Sequence, residues 1–352
     1  TPAFFHTLIE ERVTLGETVR TLAEYDNHPP LYFIAVKLWA AAFGQSLLSL
    51  RLFSVLLGAA TIFCFYRFLR LYFERLALPA LPLFACSTAV LHFSTEVRHY
   101  IASLLLLVIT LWCMASLDKA RDRGEDIAPV RMLLLAVITA CVVLTNYLGI
   151  YSLLACYIWF IAIRGHWRVG LCSGVLSVLL ASGWVALVIE NHLVGPFRHD
   201  GWLGWPEQLV IFLKGTLGAV YVASHEDYPT FMHWVGRLLL SGLAALGLLS
   251  SALNSNRREH WHLALLFALL AAMPGLGVMT TNFITDKHHE ALRYYMLAAP
   301  GWAGLLILGI AALYRFRGAL GQAAWAGSLL ALLSVANWGY AVSHYQGKTV
   351  YN

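Results

Sequence analysis

Hydrophobic residues in this chain gather into long unbroken runs, with neither the alternation of strands nor the narrow stripes of soluble helices. Runs near 50–72, 78–95, 99–117, 131–146, 149–163, 169–190, 232–252, 261–279, 294–314 and 320–342 approach the roughly 20 residues that carry a helix across a bilayer. They predict ten spanning helices, because lipid admits only helices and closed barrels, and barrel strands read as alternating segments of about ten residues. The run 29–44, PPLYFIAVKLWAAAFG, is shorter and carries Lys37 in its middle. It predicts a juxtamembrane helix lying along the membrane surface. Residues 1–28 are mixed and polar, with an amphipathic stretch and no signal peptide.

Composition agrees with the pattern: 59% of residues are hydrophobic, 12% are charged and mean hydropathy is +0.68. A soluble domain carries about 25% charged residues. The expected architecture is an all-α polytopic transmembrane bundle forming one domain over 1–352. The net charge of +5 has a use in such a protein, since Lys and Arg concentrate in cytoplasmic loops. YRFLRLYFER, DKARDRGEDIAPVR, RGHWR, NRR and YRFR follow alternate spans, and they define the cytoplasmic side. Residues 1–49 then form an outer juxtamembrane region, and 191–231 an outer loop with an interfacial helix. Eleven of the 14 histidines fall on the outer side or in outer helix halves, all but His166, His260 and His262. The functional face is therefore expected outside, and nothing points to nucleic acid. The six cysteines sit in apolar runs without a C-x-x-C pair, which reads as core packing rather than a disulfide framework or zinc site.

Three outer segments press ionisable residues against helix ends: Asp26-Asn27-His28, then Glu96, Arg98, His99 and Tyr100, then Asp286 through Tyr295. Charge at membrane depth is costly unless it is paired or lines a cavity, so such residues are functional candidates. Tyr294 and Tyr295 have an ordinary alternative as members of an aromatic belt.

In order along the chain, DNHPPLYF, AFGQSLLSLRLFSVLLGAATIFCFYRFLRLYF, STEVRHYIASLLLLVITLW, TNYLGIYSLL and RYYMLAAPG resemble the polytopic GT-C glycosyltransferases of family 39. These are relatives of the protein O-mannosyltransferases and lipid A aminoarabinose transferases. The resemblance is strong over 20–160 and loose elsewhere. It implies transfer of a sugar, with inversion, from a polyprenyl-phosphate carrier to an acceptor on the outer (periplasmic) face of a bacterial inner membrane. It casts Asp26 and Glu96 as catalytic acids. His28, Arg98, Tyr100, Asn146, Arg293 and Tyr294 become substrate-binding residues, with His28 at the carrier phosphate. The lipid bilayer and a lipid-linked donor are the implied partners; the sugar and acceptor are not specified.

Relatives carry their principal catalytic Asp in an Asp-Glu pair just after a first spanning helix, so the resemblance predicts a further helix upstream of Thr1. The alternative is a non-catalytic relative serving as an accessory subunit of a membrane complex, with Glu10 and Glu11 on an amphipathic surface. A flippase or transporter fits less well, because no interrupted segments repeat at matching positions. No cofactor is certain from the sequence, and dependence on a divalent metal is left open. His288-His289 and His225-Glu226-Asp227 supply ligand types for a divalent metal without a diagnostic spacing.

Overall fold

The computed structural model describes residues 13–25, 28–192, 205–218, 230–253, 258–285 and 292–315. Among these there is no strand; the chain is a helical bundle. Helix α1 (Leu15–Tyr25) opens with a capping box: the Thr14 backbone N–H donates to Glu17 Oε2 at 2.7 Å, and the Glu17 N–H donates to Thr14 Oγ1 at 3.2 Å. The bond from the Thr14 backbone holds the Glu17 carboxyl below its ordinary pKa. Helix α2 (Leu31–Phe43) follows Pro29-Pro30, and Gly44 at φ +86° ends it. The Leu31 N–H is pinned to the Leu144 carbonyl at 3.0 Å.

The bundle proper consists of α3 (Leu47–Arg70), α4 (Ala77–Ala85), α5 (Thr88–Phe93), α6 (Tyr100–Asp122), α7 (Pro129–Val143), α8 (Gly149–Tyr157, continuing as a π-helical turn over Ile158–Ile163), α9 (Trp167–His192), α10 (Trp205–Gly218), α11 (Thr230–Leu253), α12 (Arg258–Thr285) and α13 (Ala299–Arg315). Among the described residues, five helices are long and apolar enough to cross a membrane: α3, α6, α9, α12 and the segment Met296–Leu313. Leu31–Phe43, Pro129–Val143, Gly149–Ile163 and Leu238–Leu253 are shorter apolar helices. The span expected at 78–95 is not one helix. It breaks at Cys86-Ser87, where the Ser87 hydroxyl accepts from the Val90 N–H and starts α5 afresh. Pro82 inside α4 weakens continuity further by removing a backbone donor. The span expected at 320–342 lies outside the described residues.

Small residues bring helices to backbone distance. A Cβ on Gly301 would lie 2.3 Å from the Ala271 nitrogen of α12, and one on Gly309 would lie 2.2 Å from the Leu243 carbonyl of α11. In lipid, where apolar burial gives helices no reason to associate, such close packing supplies the attraction. Pro274 and the glycines after it notch α12: Gly277 receives the ring of Tyr151, whose hydroxyl lies 3.1 Å from Thr281 Oγ1.

Polar links sort the helices into two ends. At one end Ser54, near the start of α3, donates to the Glu96 carbonyl at 2.8 Å, and Trp184, late in α9, donates to the Tyr147 hydroxyl at 2.7 Å. The opposite end is tied by Asp118. Its Oδ1 accepts from Arg164 Nε at 2.7 Å and faces His166 Nε2 at 2.9 Å, while Oδ2 accepts from the Tyr72 hydroxyl at 3.2 Å. The π-helical turn widens the end of α8 and aims Arg164 at this carboxylate. Arg164 also meets Asp122 and His262, and Lys119 pairs with Glu259, so α6, α8 and α12 are clamped together. Burial, and then the charge of Asp118, push the Tyr72 hydroxyl well above its ordinary pKa, so it donates at all ordinary pH.

Asp118 is almost fully buried, 1% exposed. Removing its charge by Asp118→Asn leaves Arg164 without its main counter-charge, and stability should fall by about 3–5 kcal/mol. Asp122→Asn, at a half-exposed carboxylate, should cost at most about 1 kcal/mol. Thermal unfolding in detergent checks the pair: similar melting points for the two variants would contradict the Asp118 hub.

Candidate functional site

The short stretch 92–100 is held between the broken α4–α5 segment and α6, and it carries most of the polar chemistry at the end opposite Asp118. His92 lies near the end of α5 and Glu96 in the turn that follows it. His92 Nε2 lies 3.1 Å from Glu96 Oε1, with both side chains partly exposed. Because Ser54 fixes the Glu96 carbonyl, the carboxylate has a defined root. The glycine at position 58 allows this approach, since a Cβ there would lie 2.2 Å from Ser94 Oγ.

Arg98 is exposed, and the field of its guanidinium reaches the Tyr100 hydroxyl. His99 is turned inward, 8% exposed, and stands at the start of α6. Its ring meets His28 edge to face at a centroid distance of 5.4 Å, Tyr32 at 6.3 Å and Tyr100 at 4.3 Å. His28 also meets Phe33 at 6.2 Å. The Pro-Pro corner thus delivers His28 to the Glu96 stretch through a wall of rings.

Arg293 reaches the same place from the far end of the chain, on a 3₁₀ turn, Leu292–Tyr294. It donates to the Tyr294 hydroxyl at 3.2 Å and lies 5.0 Å from that ring. Partial burial lowers its pKa, but the bond to Tyr294 and the fields of Tyr100, Tyr294 and Glu96 outweigh burial. The guanidinium therefore sits above its ordinary value and stays charged.

Of the residues expected in the site, Glu96, Arg98, Tyr100, Arg293 and Tyr294 converge, and His28 joins them through His99. Asn146 is 8% exposed at the corner after α7, where its side-chain oxygen accepts from the Leu148 N–H at 3.1 Å. That bond engages Asn146 in closing its own turn. Asp26 and Asn27 lie outside the described residues, as do Glu10, Glu11, His225-Glu226-Asp227 and Asp286–Glu290. Among the described residues, no group of three His, Cys, Asp or Glu side chains could hold a metal ion.

Sequence reasoning missed His92. Its signal was present in the four-residue step to Glu96, but Glu96 lies beyond the end of α5, so only the path of the turn after that helix makes the two a contact. It also missed the Asp118 hub, since residues from loops read as a cytoplasmic charge excess gave no sign of mutual pairing.

Chemically, the arrangement pairs the Glu96 carboxylate with the His92 imidazole and brings the charge of the Arg293 guanidinium within its reach. That balance suits an anionic ligand next to a group that can take a proton.

No curated protein matches the chain closely. Residues 27–192 match the family described as dolichyl-phosphate-mannose-protein mannosyltransferase. The matched segment runs from the residue before His28 through α9, just under half of the chain, and includes the Pro-Pro corner, the Glu96 stretch and the Asn146 corner. Through that segment the chain is related to the GT-C glycosyltransferases, membrane enzymes built on a polytopic helical bundle.

Proposed function

We propose that the chain is a membrane glycosyltransferase that moves a sugar from a polyprenyl-phosphate carrier to an acceptor hydroxyl, with inversion. One observation supports it most: Arg293, remote in sequence, and Arg98 both bring positive charge to bear on Tyr100, and the charge of Glu96 reaches Arg293 in turn. A departing phosphate gains negative charge as the anomeric C–O bond breaks, and guanidinium groups answer that charge best.

In this reading the Glu96 carboxylate takes the proton from the acceptor hydroxyl. The acceptor oxygen forms the new bond to the anomeric carbon while the carbon–phosphate oxygen bond breaks on the other side of the ring. The bonding electrons leave with the phosphate, which Arg98, Arg293 and His28 receive. Tyr100, Tyr294 and Asn146 orient the sugar, and Asp26 serves as a second acid. His92 keeps the Glu96 carboxylate oriented. The ring wall formed by His99, Tyr32 and Phe33 excludes water from this side of the carrier. Exposed apolar residues at the start of α3, among them Leu47, Leu48 and Leu52, offer the carrier's chain a lipid-side approach. The site end faces outward, to the periplasm of a bacterial inner membrane, and the donor lipid and acceptor are its partners.

Replacing Arg98 or Arg293 by Ala should reduce transfer from a polyprenyl-phosphate sugar by about 10²-fold or more. Lys should restore only part, since it lacks the paired fork. Wild-type rates in either Ala variant would remove that residue from the site.

Glu96→Gln should lower turnover by about 10²–10⁴-fold, the usual range for a lost general base, with the melting point nearly unchanged. Normal turnover with a clear drop in melting temperature would instead make Glu96 a structural partner of His92.

For orientation, single cysteines at Gln45 and Arg123, in a background lacking the native six, are labelled in sealed vesicles with a membrane-impermeant reagent. Position 45 should react from outside and position 123 only after lysis. The reverse order would turn the proposed site inward.

A further inference from the structure

Helix α3 presents one lipid-side stripe along its length. Leu52, Val55, Leu56 and Phe63 are exposed on it, at the three- and four-residue steps of a single helical face. Arg67 and Arg70 continue this face at the Asp118 end, and both are exposed. Side chains on a helix lean toward its N-terminus, which on α3 means back toward the middle of the membrane. Both arginines do so. The Arg67 guanidinium carbon lies 5.9 Å from the Phe63 ring centre and 5.0 Å from that of Trp112 on α6; the Arg70 carbon lies 5.9 Å from that of Tyr66.

Several other bases at this end are matched, Arg164 and His166 with Asp118, Arg123 and Arg131 with Glu125, Lys119 with Glu259; Arg75, Arg121, Arg168 and Arg258 have no carboxylate partner among the described residues, but none of them continues the apolar stripe of α3. Neither Arg67 nor Arg70 has a carboxylate partner among the described residues. Ring faces offset only part of the cost of holding a guanidinium at the hydrocarbon edge, so an anion that approaches from the lipid side is favoured there. We propose that Arg67 and Arg70 form a binding site for the headgroup phosphate of an acidic glycerophospholipid, whose acyl chains lie along Phe63 and Leu56. The apolar stripe argues for a lipid over free phosphate, which would gain nothing from it. A zwitterionic lipid brings its own cation and competes with the arginines for its phosphate. Trp112 and Tyr66 hold the guanidiniums at interfacial depth, as ring belts do elsewhere. The site is independent of the transferase reading, since it lies at the other end of α3.

The test compares the full chain in nanodiscs of phosphatidylcholine and of an equimolar mixture with phosphatidylglycerol. Thermal unfolding is followed, and retained lipid is counted by native mass spectrometry. Wild-type protein should melt higher in the mixture and retain phosphatidylglycerol preferentially. R67Q/R70Q should lose that preference, by about fivefold for each arginine removed, and melt as wild type does in phosphatidylcholine alone. R123Q, at an arginine already paired, should keep the preference and the higher melting point. A double variant with undiminished preference overturns the site, and so does displacement of phosphatidylglycerol by equimolar polyprenyl phosphate, which would assign the surface to a carrier lipid. Should the double variant not fold, R70Q alone carries the test: it must show the single-arginine loss, and full retention overturns the site.

Discussion

A charge in hydrocarbon costs several kilocalories per mole unless it finds a partner or water, and that cost sets where the polar groups of this bundle stand. Charged residues of the long helices stand at their ends. There they are either paired or turned toward a surface. Asp118 is the clearest case: buried at the end of α6, it is tolerated because Arg164 and His166, from the turn before α9, and Tyr72, just after α3, converge on it. A hub of this kind adds little to stability over an apolar replacement, but it penalises any arrangement that leaves a charge unmatched. It thereby sets which ends of α3, α6, α8 and α12 come together.

With that end clamped, the other end has freedom to be chemical. Along their middles the helices meet through glycines, at Gly301 and Gly309 in α13 and at Gly277 in α12. Packing against backbone fixes separations to within the size of a methyl group. The break at Cys86-Ser87 then decides the direction of the residues after it. A continuous helix through 78–95 would carry His92 and Glu96 in another direction; restarting at Ser87 gives α5 its own axis and lays this pair beside the start of α3, where Ser54 and Gly58 receive it.

The site and the lipid-facing arginines use the same chemistry at opposite ends of α3. Each sets guanidinium groups beside aromatic rings, Arg293 over Tyr294 and Arg67 over Trp112. The difference lies in the neighbours. Near Arg293 there is a carboxylate, Glu96, that can take a proton, whereas the face around Arg67 offers only apolar surface. In the proposed reading one end acts on a phosphate-linked group and the other holds one.

Apolar run length and the scarcity of charge determined by themselves that this chain is a helical membrane bundle, because the cost of unsatisfied backbone in lipid leaves few alternatives. Sequence also singled out Glu96, Arg98 and Tyr100, since ionisable residues in a turn of a few residues between two apolar runs have nowhere to hide. The Pro-Pro corner marked His28 in the same way. The 78–95 run looked like one span because hydropathy sums residues without regard to where a proline removes a donor or a serine starts a new helix. Tertiary structure alone decided that Arg293 and Tyr294 join the site, since that contact depends on how α12 and α13 pack and no local spacing encodes it. The same holds for the Asp118 hub: the residues that form it were visible one by one as loop charges, but mutual pairing is set by which helix ends meet.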